Sequence, residues 1–301
     1  MTQNLPIAPR APRTFDGPSQ ALPPGSCDGH VHMVSDGRDY ALYSRRVETP
    51  AEGDFDLWFQ DCTKALDHMG FDRVVFVHSI LHGADNQITL DATTRFGTTH
   101  ARAVVLVEDG TGADQLATLR DAGAAAVRLN YVHGGILSWE GAVSMAPELS
   151  SVGMHIQMLL NSRDHMAQIA DDIRALPVPV VIDHLGWPDV AAGVNEAGFQ
   201  LLSELLAEGH VYVKLSALYR YDDAPFDRAS TFVRKLVDAN PERCLWGSDW
   251  PHLMLGDTKM PNTGGLLNRL IGDVSSDELH RILVKNSERL YGFDPAQRNR
   301  L

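Results

Sequence analysis

Short apolar runs alternate with amphipathic stretches along nearly the whole chain. Apolar runs of about strand length lie at 26–34, 73–80, 101–108, 124–132, 154–161, 178–185, 211–218 and 243–250. Apolar residues recur at helical spacing in 56–69, 86–96, 113–122, 140–152, 165–176, 196–207, 226–239 and 277–290. This order is typical of repeated βα units and a parallel sheet. Eight such units predict a (β/α)8 barrel, an α/β fold whose active site lies at the carboxyl ends of the strands.

An open, doubly wound sheet produces the same alternation and is the alternative fold. No Gly-rich phosphate loop of the GxGxxG or GxxxxGK type follows the first run, which disfavours the nucleotide-binding version of that sheet. A chain of 301 residues with 44% hydrophobic residues is long enough for one large domain. We therefore predict a Pro-rich N-terminal arm at 1–24 and a single barrel domain at 25–301.

Charge and cysteine content restrict the partners and the compartment. The formal net charge is −13 and no basic run is present, which argues against a nucleic-acid partner. No stretch approaches the ~20 apolar residues that a membrane helix needs, and the N-terminus lacks the apolar core of a signal peptide. Three cysteines without close pairing indicate a reducing compartment, so a cytoplasmic location is expected. An anionic substrate would have to be attracted by a few local cations.

Two short segments near the ends of the chain carry the most chemistry: Asp28-Gly-His30-Val-His32 and Trp246-Gly-Ser-Asp249-Trp-Pro-His252. His30 and His32 are two residues apart on a predicted strand, so both project to the barrel interior. An HxH pair ligates a metal or polarises a substrate carbonyl by hydrogen bonding. The plain alternative is two structural histidines at a strand end.

Strands six and eight end in further ionisable residues. His184 follows Asp183 directly after an apolar run, and Asp249 lies between aromatic residues. Burial would raise the pKa of Asp249 and nearby cations would lower it again, which favours a base that works near neutral pH. No G-x-S-x-G motif and no cysteine nucleophile is present, which disfavours acyl-enzyme chemistry.

Polar residues at other strand ends are candidates for holding a substrate. The candidates are Arg128, Asn130, Lys214, Arg220, Ser79 and His82. Arg128, Lys214 and Arg220 could clamp a carboxylate, since guanidinium groups suit bidentate contact. The alternative is that Arg128 and Lys214 pair with internal acids, Asp28 or Asp183, and serve only the structure.

Together these segments resemble the amidohydrolase superfamily, specifically its branch of 2-pyrone-4,6-dicarboxylate lactonases. The resemblance runs over about 24–291 and is strongest in 23–32, 82–86, 177–186 and 246–252. It implies a (β/α)8 barrel that hydrolyses or isomerises a lactone without a metal. It also implies that Asp249 is the general base, that Arg128 and Arg220 anchor a carboxylate, and that the lactone carbonyl is polarised by His30, His32 and His184.

Three positions depart from the pattern of that branch. Gly134 and Trp187 stand where the branch carries arginines, and a strand-five tyrosine is replaced near Leu159. A second carboxylate of the substrate would lack partners there. The expected substrate is therefore a monocarboxylated or sulfonated lactone of the muconolactone type, from aromatic breakdown, or a sugar lactone, with Trp187 lining its pocket.

Other functions stay open at this point. A zinc-dependent hydrolase or decarboxylase would hold its ion with His30, His32, His184 and Asp249. Against it, the usual strand-five ligand position is Leu159, and His155 lies at the buried start of that strand. Two further alternatives are a lactone isomerase that uses the same base and a barrel that binds an organic acid without turning it over.

Overall fold

The computed structural model describes residues 5–132 and 135–297. Its centre is one sheet of parallel strands that follow one another in chain order. The strands are β1 Cys27–Val31, β2 Arg73–Val77, β3 Ala101–Val105, β4 Ala124–Asn130, β5 His155–Leu159, β6 Val180–Ile182, β7 Val211–Ser216 and β8 Cys244–Gly247.

Helices connect and follow the strands. They are α1 Phe55–Met69, α2 Gln87–Phe96, α3 Ala113–Asp121, α4 Trp139–Ser151, α5 Ser162–Ala175, α6 Ala197–Glu208, α7 Asp227–Ala239, α8 Thr263–Asp273, α9 Ser276–His280 and α10 Asn286–Tyr291. A π-helical segment, Arg281–Lys285, joins α9 to α10. Each long helix buries one apolar stripe against the strands, as Trp58, Phe59 and Leu66 of α1 do.

The sheet closes on itself between its first and last strands. Val31 and Trp250 form a parallel bridge, the His32 amide donates to the Trp250 carbonyl at 2.8 Å, and the Asp249 amide donates to the His30 carbonyl at 2.9 Å. We call this junction of β1 with β8 the seam. Eight parallel strands closed at the seam confirm the predicted (β/α)8 barrel and exclude the open sheet.

Glycine allows the two strands of the seam to approach each other. A Cβ atom on Gly247 would lie 2.4 Å from His30 Cβ and 2.8 Å from His30 N. A Cβ atom on Gly29 would lie 2.7 Å from the Trp246 carbonyl oxygen. The glycines of the two end motifs are thus explained by backbone contact between β1 and β8.

Two helical regions differ from the prediction. Helix α8 was not predicted, because Gly264 and Gly265 in its first turn weaken the helical pattern. Gly264 is required by packing, since a Cβ atom there would lie 1.7 Å from the Asp16 carbonyl oxygen. The segment predicted as one helix at 277–290 is helical throughout but passes through the π-helical segment 281–285.

The described part of the arm lies along α1 and α8. Arg10 and Arg13 both pair with Asp61 of α1, at 2.6 and 3.2 Å. Asp16 exchanges hydrogen bonds with Asn262, whose side chain caps α8. The arm therefore contacts both the first and the last long helix of the barrel.

Two global features complete the fold. Cys27, Cys62 and Cys244 are buried and form no disulfide, as their number and spacing indicated. Across 5–132 and 135–297, no helix has the length and apolar character that crossing a membrane would require.

Candidate active site

Three imidazole nitrogens and one carboxylate oxygen converge at the carboxyl end of the barrel. The Nε2 atoms of His30, His32 and His184 lie 3.8, 3.5 and 3.7 Å from Asp249 Oδ1. The Nε2 atoms of His30 and His32 are 3.3 Å apart. All four side chains are buried. Residues distant in sequence, from β1 and from the segments after β6 and β8, thus form one cluster, which we call the imidazole–carboxylate cluster.

The two oxygens of Asp249 have different neighbours. Oδ2 accepts a hydrogen bond from the Tyr219 hydroxyl at 2.5 Å and from Arg220 Nη2 at 3.0 Å, while Oδ1 faces the imidazoles. Burial alone would raise the pKa of Asp249, but His184 and Arg220 lower it, and the net pKa lies well below the usual range. The carboxylate is therefore ionised at neutral pH, with Oδ1 available as a hydrogen-bond acceptor.

The backbone presents these side chains in a sparsely populated conformation. Asp249 has φ 63° and His184 has φ 53°, both in the left-handed region. A non-glycine residue there costs on the order of 1 kcal/mol, and such strain is commonly retained at functional sites. Each residue lies two positions after the end of its strand, so its side chain is directed by the turn rather than by the strand pleat.

Hydrogen bonds at Nδ1 decide where two of the imidazoles carry their proton. His32 Nδ1 lies 2.7 Å from the Val77 carbonyl oxygen, which can only accept, so in the neutral ring Nε2 has no proton. His184 Nδ1 lies 2.8 Å from Ser216 Oγ. A hydroxyl can donate or accept, and we assign Ser216 as the donor, which places the His184 proton on Nε2. Burial lowers the pKa of His184 to about 4, which keeps the ring neutral.

Lys214 determines the proton position of His30. The Lys214 Nζ atom lies 3.2 Å from His30 Nδ1, and an ammonium group only donates. Asp183 Oδ1 is also 3.2 Å from His30 Nδ1 and would accept a proton carried there. We assign Lys214 as the donor in this contact, so that His30 Nδ1 accepts and the proton of this ring lies on Nε2. Burial lowers the pKa of His30 well below its usual value, so the ring is neutral.

A buried polar network holds Lys214 beneath the cluster. Lys214 donates to Gln157 Oε1 at 2.7 Å and lies 3.4 Å from Asp183 Oδ1, and all three side chains are fully buried. Arg128 Nη2 is 3.7 Å from Asp183 Oδ2. Burial lowers the pKa of Lys214 to about 8 although Asp183 opposes the shift. Lys214 therefore pairs with an internal acid, which was the structural alternative.

A cavity of about 750 Å³ opens above the cluster. Its floor contains His32, His184 and Asp249. Its wall includes the predicted residues Arg128, Asn130, Arg220 and Trp187, together with Leu159. Its rim includes Tyr43, Arg45 and Arg46 from the loop between β1 and α1. Five of the predicted residues outside the cluster are thus at the cavity or, for Lys214, directly below it.

The two arginines of the wall are partly committed to protein groups. Arg220 binds Asp249 and donates to the Leu253 carbonyl at 2.9 Å, and its guanidinium lies 5.6 Å from the centre of the Trp187 ring. Arg128 donates to the His78 carbonyl at 3.0 Å. Its Nε atom is buried without a partner among the described residues. Arg128 therefore keeps donors for a ligand, whereas Arg220 mainly supports Asp249.

Two predicted substrate contacts lie away from the cavity. Ser79 caps the turn Ile80–His82 by accepting from the Leu81 amide at 3.3 Å. His82 bridges the loops after β1 and β2, since its ring contacts the Ser35 amide and the Ala41 carbonyl at 3.3 and 3.0 Å. Both side chains position the loops around the site. Gly134, one of the three departures, lies outside the described residues.

Several residues at the site were not among the predicted ones. Tyr219 precedes the predicted Arg220 and binds Asp249, and Gln157 binds Lys214 inside the barrel. The signal for Arg45 and Arg46 was available: two adjacent cations in an acidic chain, in a βα loop that must lie at the catalytic face.

The cluster also has the spacing of a metal site. The groups His30, His32, Asp249 and His30, Asp183, His184 each bring ligand atoms within 4.8 Å of one another. The measured separations of 3.3 to 3.8 Å compare with about 3.3 Å between ligands of a tetrahedral zinc ion. His30 would ligate through Nε2 only if its proton moved to Nδ1, toward Asp183. With that change the residues fit zinc.

A sequence comparison identifies the family. The pattern of the family described as Amidohydrolase matches residues 27–293. The chain belongs to the amidohydrolase family. This confirms the resemblance that the end motifs indicated, and the matched range includes every residue of the imidazole–carboxylate cluster.

Similar amidohydrolases act on lactones according to their names. The chain is 32% identical over 293 residues to a 4-sulfomuconolactone hydrolase from Rhizobium radiobacter, with 94% of this chain and 95% of that protein covered. It is also 32% identical to a 2-pyrone-4,6-dicarboxylate hydrolase from Comamonas testosteroni, covering 91% and 92%.

A solved structure shares the fold. A probable 2-pyrone-4,6-dicarboxylic acid hydrolase from Acinetobacter baumannii, with citric acid bound, matches with a TM-score of 0.79 at 21% identity. The match covers 89% of this chain and 100% of that one.

Proposed function

We propose that this amidohydrolase opens the ring of an anionic lactone by hydrolysis. The observation that carries the proposal is the convergence of three imidazole Nε2 atoms on Asp249 Oδ1, within 3.8 Å, on the floor of a cavity lined by arginines. The cluster combines a proton acceptor, donors for a carbonyl oxygen and cations for an anionic substituent. The two relatives named above are lactone hydrolases, which supports the same reaction type.

The proton positions divide the cluster into acceptors and donors. Asp249 Oδ1 and His32 Nε2, 3.5 Å apart, both accept, so one water molecule can donate to both. In the structure, His30 Nε2–H donates to His32 Nε2 at 3.3 Å. When a lactone binds, His30 can donate to its carbonyl oxygen instead, together with the Nε2–H of His184. This assignment makes His32 an acceptor that orients water, whereas the resemblance implied that it polarises the carbonyl.

The reaction follows from these roles. The water oxygen adds to the lactone carbonyl carbon while one water proton moves to Asp249 Oδ1. His30 and His184 stabilise the negative charge that forms on the carbonyl oxygen, a contribution of about 3 to 4 kcal/mol for each well-placed donor. The tetrahedral species then collapses, the ring C–O bond breaks, and the ring oxygen takes the proton from Asp249. The low pKa of Asp249 makes it a weak base, so oxyanion stabilisation must carry much of the rate.

Replacing the base tests the proposal. We expect Asp249→Asn to lower kcat for lactone hydrolysis by about 10² to 10⁴-fold, because the amide cannot take a proton from water. Asp257→Asn, which changes an exposed carboxylate eight residues further along, is the matched control and should retain full activity. Acid release is followed with a pH indicator, and melting temperatures show that both variants fold. Undiminished turnover in Asp249→Asn would remove Asp249 from the mechanism.

A zinc-dependent version of the same reaction is the second candidate, favoured by the ligand spacing of the cluster. His30, His32, His184 and Asp249 would hold the ion, which would supply Lewis-acid polarisation of the carbonyl. Elemental analysis of the purified protein, followed by chelation and readdition of zinc, discriminates the two versions. Stoichiometric zinc with activity lost on chelation would favour the second.

A further inference from the structure

We propose that Arg45 and Arg46 form an anion subsite at the rim of the cavity, which binds the anionic group of the substrate farthest from the reacting carbonyl. This inference rests on the proposed function and specifies its substrate class. It names a lactone with two anionic substituents, one near the Arg128 wall and one at the rim. Nothing in the end motifs or in the imidazole–carboxylate cluster involves these two arginines.

The first observation is that the rim arginines have no acidic partner. Among the described residues, neither Arg45 nor Arg46 lies within an ion-pair distance of a carboxylate. The arginines of the cavity wall differ: Arg220 pairs with Asp249 at 3.0 Å, and Arg128 lies 3.7 Å from Asp183. In a chain with a net charge of −13, two adjacent guanidinium groups without acids are an unusual local charge. They suit a carboxylate or sulfonate supplied by a ligand.

The second observation is that both guanidinium groups are held in place by Tyr43. Arg45 Nε donates to the Tyr43 hydroxyl at 2.8 Å, and its guanidinium lies 5.4 Å from the ring centre. Arg46 Nη1 donates to the Tyr43 carbonyl at 3.1 Å, and its Nε and Nη2 contact Thr49 Oγ1 at 3.3 and 3.2 Å. Both terminal nitrogens of Arg45 keep their donors free of protein partners among the described residues. The subsite is therefore ordered before a ligand binds, which reduces the entropy cost of binding.

The third observation is that the loop carrying the rim arginines is anchored on both sides of the cavity. The Tyr43 amide donates to the Leu81 carbonyl at 2.8 Å, next to β2. Glu48 is buried, and its Oε1 accepts from the Met254 amide at 2.7 Å, in the segment after β8. These contacts fix the loop across the mouth of the cavity that contains Asp249. A ligand on the cluster floor therefore shares its cavity with Arg45 and Arg46.

The subsite changes the expectation drawn from Gly134 and Trp187. Those positions lack arginines that would neutralise a second carboxylate, which indicated a substrate with a single anionic group. The rim arginines supply two cations from another loop instead. We infer that the second anion is bound on the β1 side of the cavity rather than on the side of β4 and β6.

Two ligands that differ by one carboxylate test the subsite. The probes are 2-pyrone-4,6-dicarboxylate and 2-pyrone-6-carboxylate, titrated calorimetrically into Asp249→Asn so that binding is measured without turnover. We expect the added change Arg45→Gln/Arg46→Gln to raise the Kd of the dicarboxylate by about tenfold or more, the range of charge-assisted contacts. The Kd of the monocarboxylate should change less than twofold.

A second double variant controls for the loss of overall charge. Arg13→Gln/Arg281→Gln removes two positive charges from side chains that are 61% and 47% exposed and that do not line the cavity. It should leave both Kd values unchanged. Equal weakening by this control, equal weakening of both probes, or no weakening at all would overturn the subsite.

The test separates the subsite from the proposed reaction. If the parent Asp249→Asn protein binds the dicarboxylate tenfold more tightly than the rim variant does, the subsite stands even if the unmodified enzyme releases no acid from any lactone. If the unmodified enzyme hydrolyses lactones but the rim variant binds both probes normally, only the subsite fails.

Discussion

At the scale of single residues, the imidazole rings of the cluster are distinguished by what lies behind them. The carbonyl oxygen behind His32 holds the proton on Nδ1, whereas the hydroxyl behind His184 and the ammonium behind His30 leave it on Nε2. The chemistry of the cluster therefore depends on side chains that never contact the substrate. Lys214 is the clearest example, since it acts only through His30.

Removing the Lys214 charge should move the proton of His30. We expect Lys214→Met to shift that proton from Nε2 to Nδ1, where Asp183 Oδ1 at 3.2 Å accepts it. Loss of one oxyanion donor should lower kcat by about 10² to 10³-fold with little change in KM. Long-range ¹H–¹⁵N correlation spectra report the proton position of the ring directly.

Loss of Lys214 also removes a positive charge that neutralises the buried Asp183 carboxylate. This can lower the free energy of unfolding by about 3 to 5 kcal/mol. The double variant Lys214→Met/Asp183→Asn removes both charges and serves as the companion protein that folds. In it the proton should still move to Nδ1. A His30 ring that keeps its Nε2 proton in both variants would contradict the positioning role of Lys214.

At the scale of elements, the seam between β1 and β8 brings His30 and Asp249 together. The close approach depends on Gly247, because the adjacent strand lies where its side chain would be. The two motifs at the chain ends meet here, so the closure of the barrel and the assembly of the cluster are the same structural event.

A methyl group at the seam should disturb both the closure of the barrel and the geometry of the imidazole–carboxylate cluster. We expect Gly247→Ala to lower the free energy of unfolding by about 1 to 3 kcal/mol, as overpacking does, and to reduce kcat by displacing His30. Gly272→Ala is the matched control, because no atom lies within 4 Å of the point where its methyl group would be and it sits inside α8. It should stabilise the protein by about 0.5 to 1 kcal/mol. Urea unfolding measures both, and equal stability of the two variants would argue against a tight seam.

There are physical reasons why some elements were predicted from the sequence and others were not. All strands were predicted because their apolar runs are buried on both sides. The predicted end of β6 was three residues too late, because the strand stops at Ile182, before the turn that contains His184. Helix α8 was missed because its glycines serve packing against Asp16, which lies 246 residues from Asn262. Local patterns cannot report contacts of that separation.

The candidate site divides in the same way. His184 and Asp249 were predictable because they follow apolar runs at strand ends, and His30 and His32 because they are two residues apart on a predicted strand. The pairing of Lys214 with Asp183, and the contact of Tyr219 with Asp249, depend on distances across the barrel interior that no spacing in the sequence encodes.

At the scale of the whole molecule, buried histidines couple stability to pH. Burial lowers the pKa values to about 3 for His78 and His155 and to about 4 for His184 and His252. Between about pH 4 and 6.5 the unfolded chain therefore binds protons that the folded protein does not. Asp28 acts in the opposite direction, since burial raises its pKa to about 6 and the folded protein binds that proton.

The balance of these protons predicts loss of stability in mild acid. The pKa values of His30 and His82 are lowered by burial as well. The histidine protons therefore outweigh the one from Asp28, so stability is fully present above about pH 6.5 and falls as the pH drops toward 4. Each excess proton contributes roughly 1.4 kcal/mol per pH unit. Urea unfolding at pH 7.5, 6.0 and 5.0 checks the slope, and His155→Leu should make it shallower. A stability that rises from pH 6.5 to 5 would refute the assignment of buried neutral imidazoles.

The part of the N-terminal arm from Arg10 to Ser19 has a practical consequence for the preparation of this enzyme. The family pattern begins at residue 27, so a protein shortened to that residue would still contain the whole matched region. The shortened protein would lose the contacts with Asp61, Asn262 and Asn268. These contacts connect α1 to α8 on the outside of the barrel, next to the seam where the catalytic groups lie inside. Expression plasmids should keep these early codons.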